Sequence, residues 1–158
     1  MALFLSTYVN KVDRKGRVSV PASFRTALSS QAFQGIVLFR SHTHECLEGL
    51  GWDTVEELGA RLDHFDFFSA AQDDLATALF GAAVQLPFDG EGRVVLPGDL
   101  MDFAGIGEQA AFVGMGRKFQ IWQPDALTSR QTQAREAVRK QGLTIPATPH
   151  DGQKRGAA

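Results

Sequence analysis

The sequence predicts a mainly β protein with short helices, an α+β fold built from two copies of one small module. Three observations carry that expectation. The stretch Asp13-Arg14-Lys15-Gly16-Arg17-Val18-Ser19-Val20-Pro21 returns 76 positions later as Asp89-Gly90-Glu91-Gly92-Arg93-Val94-Val95-Leu96-Pro97, with five identities in nine residues. Self-similarity at fixed spacing is the mark of a duplicated structural unit. Each copy places turn residues between segments that alternate polar and apolar side chains, the pattern of paired strands. Helical patterns are short and either follow a proline or lie between the copies.

The elements follow in order. Tyr8-Val9-Asn10-Lys11-Val12 has strand propensity, and Arg17-Val18-Ser19-Val20 alternates. Between them, Asp at the first turn position and Gly at the fourth suit a type I turn closed by a left-handed glycine, so each copy is expected to form a β-hairpin. Pro21 and Pro97 end the strands and open short helices, Ala22 to Leu28 and Asp99 to Phe103, because proline is pre-set for a first helical turn. Strands Gly35 to Arg40 and Ala110 to Gly114 come next. Lys118 to Trp122 is one more strand, and its counterpart Cys46 to Leu50 is expected to be weakened by Gly49. Between the copies lie helices from Asp53 to about Asp63 and from Ser69, a suitable N-cap, to about Phe80. Pro124 opens a last helix reaching about Lys140, whose basic end complements the helix dipole. The expected division is a first repeat at 3–53, a helical connector at 54–81, a second repeat at 82–125, a C-terminal helix at 126–145 and a disordered tail at 146–158.

Composition bounds the function. With 44% apolar and 22% charged residues in 158, the chain can bury one core or two small half-domains. A single cysteine, Cys46, rules out an intrachain disulfide framework and suits a reducing cytoplasm. No apolar run approaches a membrane span, and the start lacks the pattern of a signal peptide, so the mature protein is expected to begin near Met1. The net charge of −2 hides a segregation of sign: residues 1–40 sum to +5, residues 41–110 to −12 and residues 111–158 to +5. Such a molecule can hold a polyanion on one face while repelling it elsewhere.

A duplicated Asp-x-x-x-Arg hairpin followed by an apolar residue, proline and a short helix resembles the MraZ family of bacterial proteins, within the AbrB/MazE-like superfamily. The resemblance rests on Tyr8 to Pro21, the Cys46-Leu47 pair and Phe119-Gln120-Ile121-Trp122, and covers roughly residues 3–140. It implies a swapped-hairpin or double-split β fold of the AbrB-like kind, in which the two repeats pack as an intrachain pseudo-dimer and several chains form a ring. The function it implies is binding of double-stranded DNA at short direct repeats in the promoter of the division and cell-wall gene cluster. That role is often repression, includes the protein's own gene, and places it in the cytoplasm at the nucleoid. The family's DNA-contact surface, carried over, is Asp13 and Arg17 in the first copy and Asp89 and Arg93 in the second. One departure is the helix Ala70 to Leu75, which carries Asp73 and Asp74 where the family is rich in arginine.

The residues can be weighed on their own chemistry. The planar guanidinium of Arg17 or Arg93 can bind guanine O6 and N7 together or clasp a phosphate; the bland alternative is an Asp–Arg pair that only builds the turn. Lys11, Arg14 and Lys15 suit phosphate contacts, and Arg25, one turn beyond Pro21, is a weaker candidate. His42, His44 and Cys46 alternate as zinc ligands could, but nothing completes a tetrahedral set, so a polar loop without metal is expected. Trp52, Trp122, Phe65, Phe67 and Phe68 could stack on bases, although a core or a subunit interface explains them better. An enzyme using Asp13 and Asp89 as an acid/base pair is the rival of another class. Exposed carboxylates at hairpin tips serve that chemistry poorly, and no catalytic motif, cofactor site or small-molecule substrate site is evident. A second rival is an antitoxin-like module that binds a partner protein through the acidic middle.

Overall fold

A computed structural model describes residues 2–147; of the tail expected to be disordered, the part beyond 147 lies outside the described residues. The strands are β1 (Thr7–Lys11), β2 (Arg17–Ser19), β3 (Gly35–Arg40), β4 (Leu47–Leu50), β5 (Val84–Pro87), β6 (Arg93–Val95), β7 (Gln109–Gly114) and β8 (Phe119–Trp122). The helices are α1 (Ala22–Ala27), α2 (Trp52–Leu62), α3 (Ala70–Leu75), α4 (Gly98–Ala104) and α5 (Pro124–Gln141). The chain forms one compact unit up to Pro124 and a second from Asp125 onward. It is the mostly antiparallel β fold with short helices that the sequence predicts.

The pairing of the strands exchanges them between repeats. A six-stranded sheet runs β1-β7-β8-β4-β3-β5, and β2 pairs with β6 in a separate two-stranded ribbon. Thus β1 of the first repeat lies against β7 of the second, with Val9 opposite Ala111, while β5 of the second lies against β3 of the first, with Ile36 opposite Leu86. The two simple hairpins expected from local pattern are therefore split. The backbone pairing between β1 and β2 is limited to the bridge between Val12 and Val18 beside their turn. Asn10 spans the opening, its Nδ2 donating to the Ser19 carbonyl at 2.7 Å. Local propensity sets which residues extend, but the partner is chosen by burial. Exchanging strands covers Val12, Val18, Val20, Val94 and Leu96 in one shared core.

Two registers locate the pseudo-twofold axis that relates the copies. In the ribbon Val18 faces its repeat equivalent Val94, and in the large sheet Glu48 of β4 faces Gln120 of β8. In the core Phe4, Phe24 and Phe119 pack at ring-centroid distances of 5.0 to 5.3 Å. β4 is not a weak edge. It lies between β8 and β3, and Gly49 is needed there, because a Cβ would come within 2.3 Å of the Phe119 ring. The expectation that Gly49 weakens the strand is corrected by this close approach.

The connector follows its signals closely. Ser69 caps α3, its Oγ accepting the Gln72 amide at 3.1 Å. The helix then widens into a π-helical turn, Ala76–Phe80, which ends where the Gly81 amide donates to the Ala76 carbonyl. Val55 and Leu58 of α2 meet Leu79, Phe80 and β-sheet residues Val37, Phe39 and Leu50 around a small apolar pocket, so one face of α2 is spent on packing and the other carries its acids.

Candidate nucleic-acid interface

Both repeats fold their Asp-x-x-Gly-Arg segment into the same loop. In the first, Asp13 Oδ1 accepts the amides of Lys15 and Arg17, each at 2.9 Å, and Oδ2 accepts Arg17 Nε at 2.6 Å. In the second, Asp89 Oδ1 accepts the amides of Glu91 at 2.8 Å and Arg93 at 2.9 Å, and Oδ2 accepts Arg93 Nε at 2.9 Å. The Gly16 amide donates to the Asp13 carbonyl at 3.0 Å and the Gly92 amide to the Asp89 carbonyl at 3.1 Å. With φ of +81° at Gly16 and +75° at Gly92, both turns use the left-handed conformation that favours glycine, as the sequence predicts.

The loops are laced together. The Val20 amide donates to the Gly92 carbonyl at 3.1 Å, and the Leu96 amide to the Gly16 carbonyl at 2.9 Å, so the strand leaving each loop is anchored on the other. In the ribbon Arg17 stands opposite Val95 and Ser19 opposite Arg93. Val18 and Val94 between them are buried, and strand alternation then puts Arg17, Ser19, Arg93 and Val95 on the outer face. Diagonal neighbours in an antiparallel pair have backbones roughly 7–8 Å apart, so the strand positions that carry the two arginines are separated by about two base-pair steps of ~3.4 Å.

Electrostatics fix each arginine's direction. The Arg17 amide, then the Arg17 guanidinium and the Lys15 amide, hold the Asp13 carboxyl below its ordinary range. The Arg93 amide does the same for Asp89, joined by the Glu91 amide and the Arg93 side chain. Arg93 is raised by its hydrogen bond to Asp89 and by the charges of Asp89, Glu91 and, across the ribbon, Asp13. Each Asp grips its arginine at Nε, which leaves the terminal amino groups outside that bond; one of those of Arg93 is 3.6 Å from Glu91. Two carboxylates both held ionised do not divide into an acid and a base, for which one must be pushed upward.

The surroundings of the two loops differ. Lys11, Arg14 and Lys15 are exposed around the first, where Lys11 and Arg14 line a shallow cleft with Gly107 and Glu108. The second has Gly90 and Glu91 at its tip, and its added cation comes from the other repeat. Arg25 of α1 donates from Nε to the Val20 carbonyl at 3.1 Å and lies across Gly92, where a Cβ would come within 2.6 Å of its Nη1. In the sequence Arg25 is only a weaker candidate one helical turn beyond Pro21, because nothing local places it at the second loop. Its position in the repeat corresponds to Met101, so the cation has no counterpart over the first loop.

The other candidates separate. The His44 ring packs against Trp122 at 5.5 Å and Cys46 is buried; among the described residues, no His, Cys, Asp or Glu cluster is fit to hold a metal. Trp52 packs on Phe33 at 5.9 Å. Phe65, Phe67 and Phe68 are not core residues, since all three are exposed at the turn between α2 and α3. A buried polar pair that sequence reasoning missed is Glu48 and Gln120, 3.1 Å apart, with Lys118 on Glu48 and the Trp122 indole donating to Gln120 Oε1.

Comparison with known proteins gives one consistent answer. Residues 79–141 match a family model described as "MraZ protein, putative antitoxin-like". A protein of Rickettsia felis named "Transcriptional regulator MraZ" is 45% identical over 145 residues, 92% of this chain and 97% of its own. Proteins of the same name from Rickettsia akari and Rickettsia bellii are 44% identical over 145 residues and 43% identical over 149 residues, the latter covering 94% of this chain and 99% of that relative.

Proposed function

The chain belongs to the MraZ family, whose curated relatives are named transcriptional regulators, and we propose that it regulates transcription by binding double-stranded DNA through the outer face of the β2–β6 ribbon. The observation that carries this reading is the pair of Asp-gripped arginines, Arg17 and Arg93, on one face of a two-stranded ribbon. A major groove admits such a ribbon, and a guanidinium held in place can donate two bonds to guanine. Asp13 and Asp89 act by aiming the arginines. Three of the roughly four lone-pair sites of each carboxylate are taken up within the loops, and the remaining one lies beside the arginine at the DNA-contact surface. Lys11, Arg14 and Lys15 neutralise phosphates, which fixes register without reading sequence. Arg25 adds a cation beside the second loop. The exposed methyl groups of Val95, opposite Arg17, suit a thymine methyl.

One ribbon meets few phosphates, and non-specific binding at physiological salt is weak, on the order of 10⁻⁴–10⁻⁶ M. Several copies acting together raise avidity by orders of magnitude. The protein therefore works as a homo-oligomer on direct repeats spaced about one helical turn, roughly 10 bp. Its role is repression of the division and cell-wall gene cluster, its own gene included, in the cytoplasm at the nucleoid. The test is a titration of the intact protein against the DNA just upstream of its gene and against random DNA at fixed salt. Binding at least tenfold tighter to the upstream DNA, lost with Arg17→Ala, supports the reading. Equal affinity for both DNAs contradicts it, and capture of a partner protein without DNA binding favours an antitoxin-like module instead.

A further inference from the structure

We propose that the turn between α2 and α3 docks on the C-terminal segment of a second copy of this chain, α5 and the residues just after it. This names the contact behind the assembly inferred above and rests on that reading. Phe67 and Phe68 meet edge to face at 5.3 Å but are 66% and 93% exposed, with Phe65 exposed beside them. An exposed apolar cluster with a polar rim marks an interaction site. The rim here is mainly acidic, and Arg61 beside it is paired with Glu57. Asp63 and Asp66 precede and interleave with the phenylalanines, and Asp73 and Asp74 follow on α3; among the described residues none of the four is in an ion pair. The partner that fits is both apolar and basic.

The same chain carries that chemistry at its other end. α5 has Arg130, Arg135, Arg139 and Lys140 against Asp125 and Glu136, and among the described residues none of these four cations forms an ion pair. Arg135, Val138 and Arg139 lie at i, i+3 and i+4 and so share one face, and Val138 is half exposed. Leu143 and Ile145 beyond the helix are exposed as well. An acidic aromatic turn on one copy and a basic apolar helix on the next are different patches, so the contact is heterologous. Repeated from copy to copy, it closes into a ring when the rotation allows.

Light scattering on the full-length protein without DNA tests this separately from DNA binding. One variant carries Phe67→Ser and Phe68→Ser, the other Arg135→Glu and Arg139→Glu. The expected result is a multimer for the unaltered chain, monomers for each variant at micromolar concentration, and dimers with nothing larger when the variants are mixed. Mixing leaves one intact turn and one intact helix, hence one junction. Adding Asp63→Arg and Asp66→Arg to the Arg135→Glu, Arg139→Glu chain restores the multimer through reversed charge and guards against misfolding of the serine variant. An unaltered multimer in both variants overturns the docking surface while leaving assembly intact. A monomeric parent chain overturns both, and a mixture that remains monomeric overturns the heterologous pairing.

Discussion

The first and second loops share one skeleton and differ in almost everything around it. Asp, Gly and Arg occupy the same places, with the same five hydrogen bonds around each carboxylate and turn, the Asp amide to the Arg carbonyl included. Around that skeleton the first loop sets Lys11, Arg14, Lys15 and Arg17 against Asp13, a local charge of +3. The second sets Arg93 and the borrowed Arg25 against Asp89 and Glu91, a local charge of zero. The difference separates two properties of the proposed interface. Geometry is duplicated and aims both arginines, whereas attraction for a polyanion is concentrated on one of them.

The largest expected effect breaks the skeleton. At Gly16 a Cβ would lie 2.9 Å from the Leu96 carbonyl oxygen, part of the backbone, while at Gly92 it would meet the movable end of Arg25. A left-handed non-glycine residue costs about 1–3 kcal/mol by itself. Gly16→Ala should therefore lower Tm by more than Gly92→Ala, as calorimetry would read; equal losses would mean that Arg25 is not free to move aside.

Smaller effects sharpen the contrast of charge. Glu91→Lys should tighten binding several-fold at low salt and steepen the salt dependence by about one unit per engaged subunit, measured by titration across salt concentrations. Lys15→Ala should weaken binding to operator and random DNA alike. A change in preference between sequences would make Lys15 a base reader. Arg25→Ala should reduce the salt slope only if the second loop also approaches phosphate, so it reports directly on that loop.

The smallest effect is on stability in acid. Asp13 and Asp89 have carboxyls held below their ordinary range in the folded protein, so the unfolded chain takes up protons first as pH falls. Their contribution is fully present above the ordinary carboxyl pKa of ~3.9 and is lost as pH drops through the depressed values. Asp13→Asn and Asp89→Asn should each flatten the acid limb of a Tm-against-pH curve. An unchanged limb would show that the loop hydrogen bonds add nothing to folding.

Much of this could be read from the chain because the signals are local. Asp13 and Gly16 specify a turn whatever surrounds it, Pro21 and Ser69 mark helix starts, and alternation marks β2 and β6. The exchange of strands between repeats left no local trace. Tyr8 to Val12 has the same propensity whether it pairs with β2 or with β7, and only the shared burial of both repeats decides. Gly49 read as weakness because the Phe119 ring that requires it lies 70 positions away in sequence. Arg25 is inconspicuous in the sequence for the same reason: its partner Gly92 belongs to the other copy. The resemblance to a known family supplied the swapped fold that local pattern could not.

The most direct test of the ribbon account compares Arg17→Ala with Arg93→Ala in one DNA titration at fixed salt, with folding and oligomer size checked beforehand. A good bidentate arginine contact discriminates by about 1–3 kcal/mol. The expected result is that Arg17→Ala weakens binding at least tenfold per engaged subunit and Arg93→Ala weakens it less. Loss of binding with Arg93→Ala and none with Arg17→Ala would contradict the account and make the second loop the principal reader.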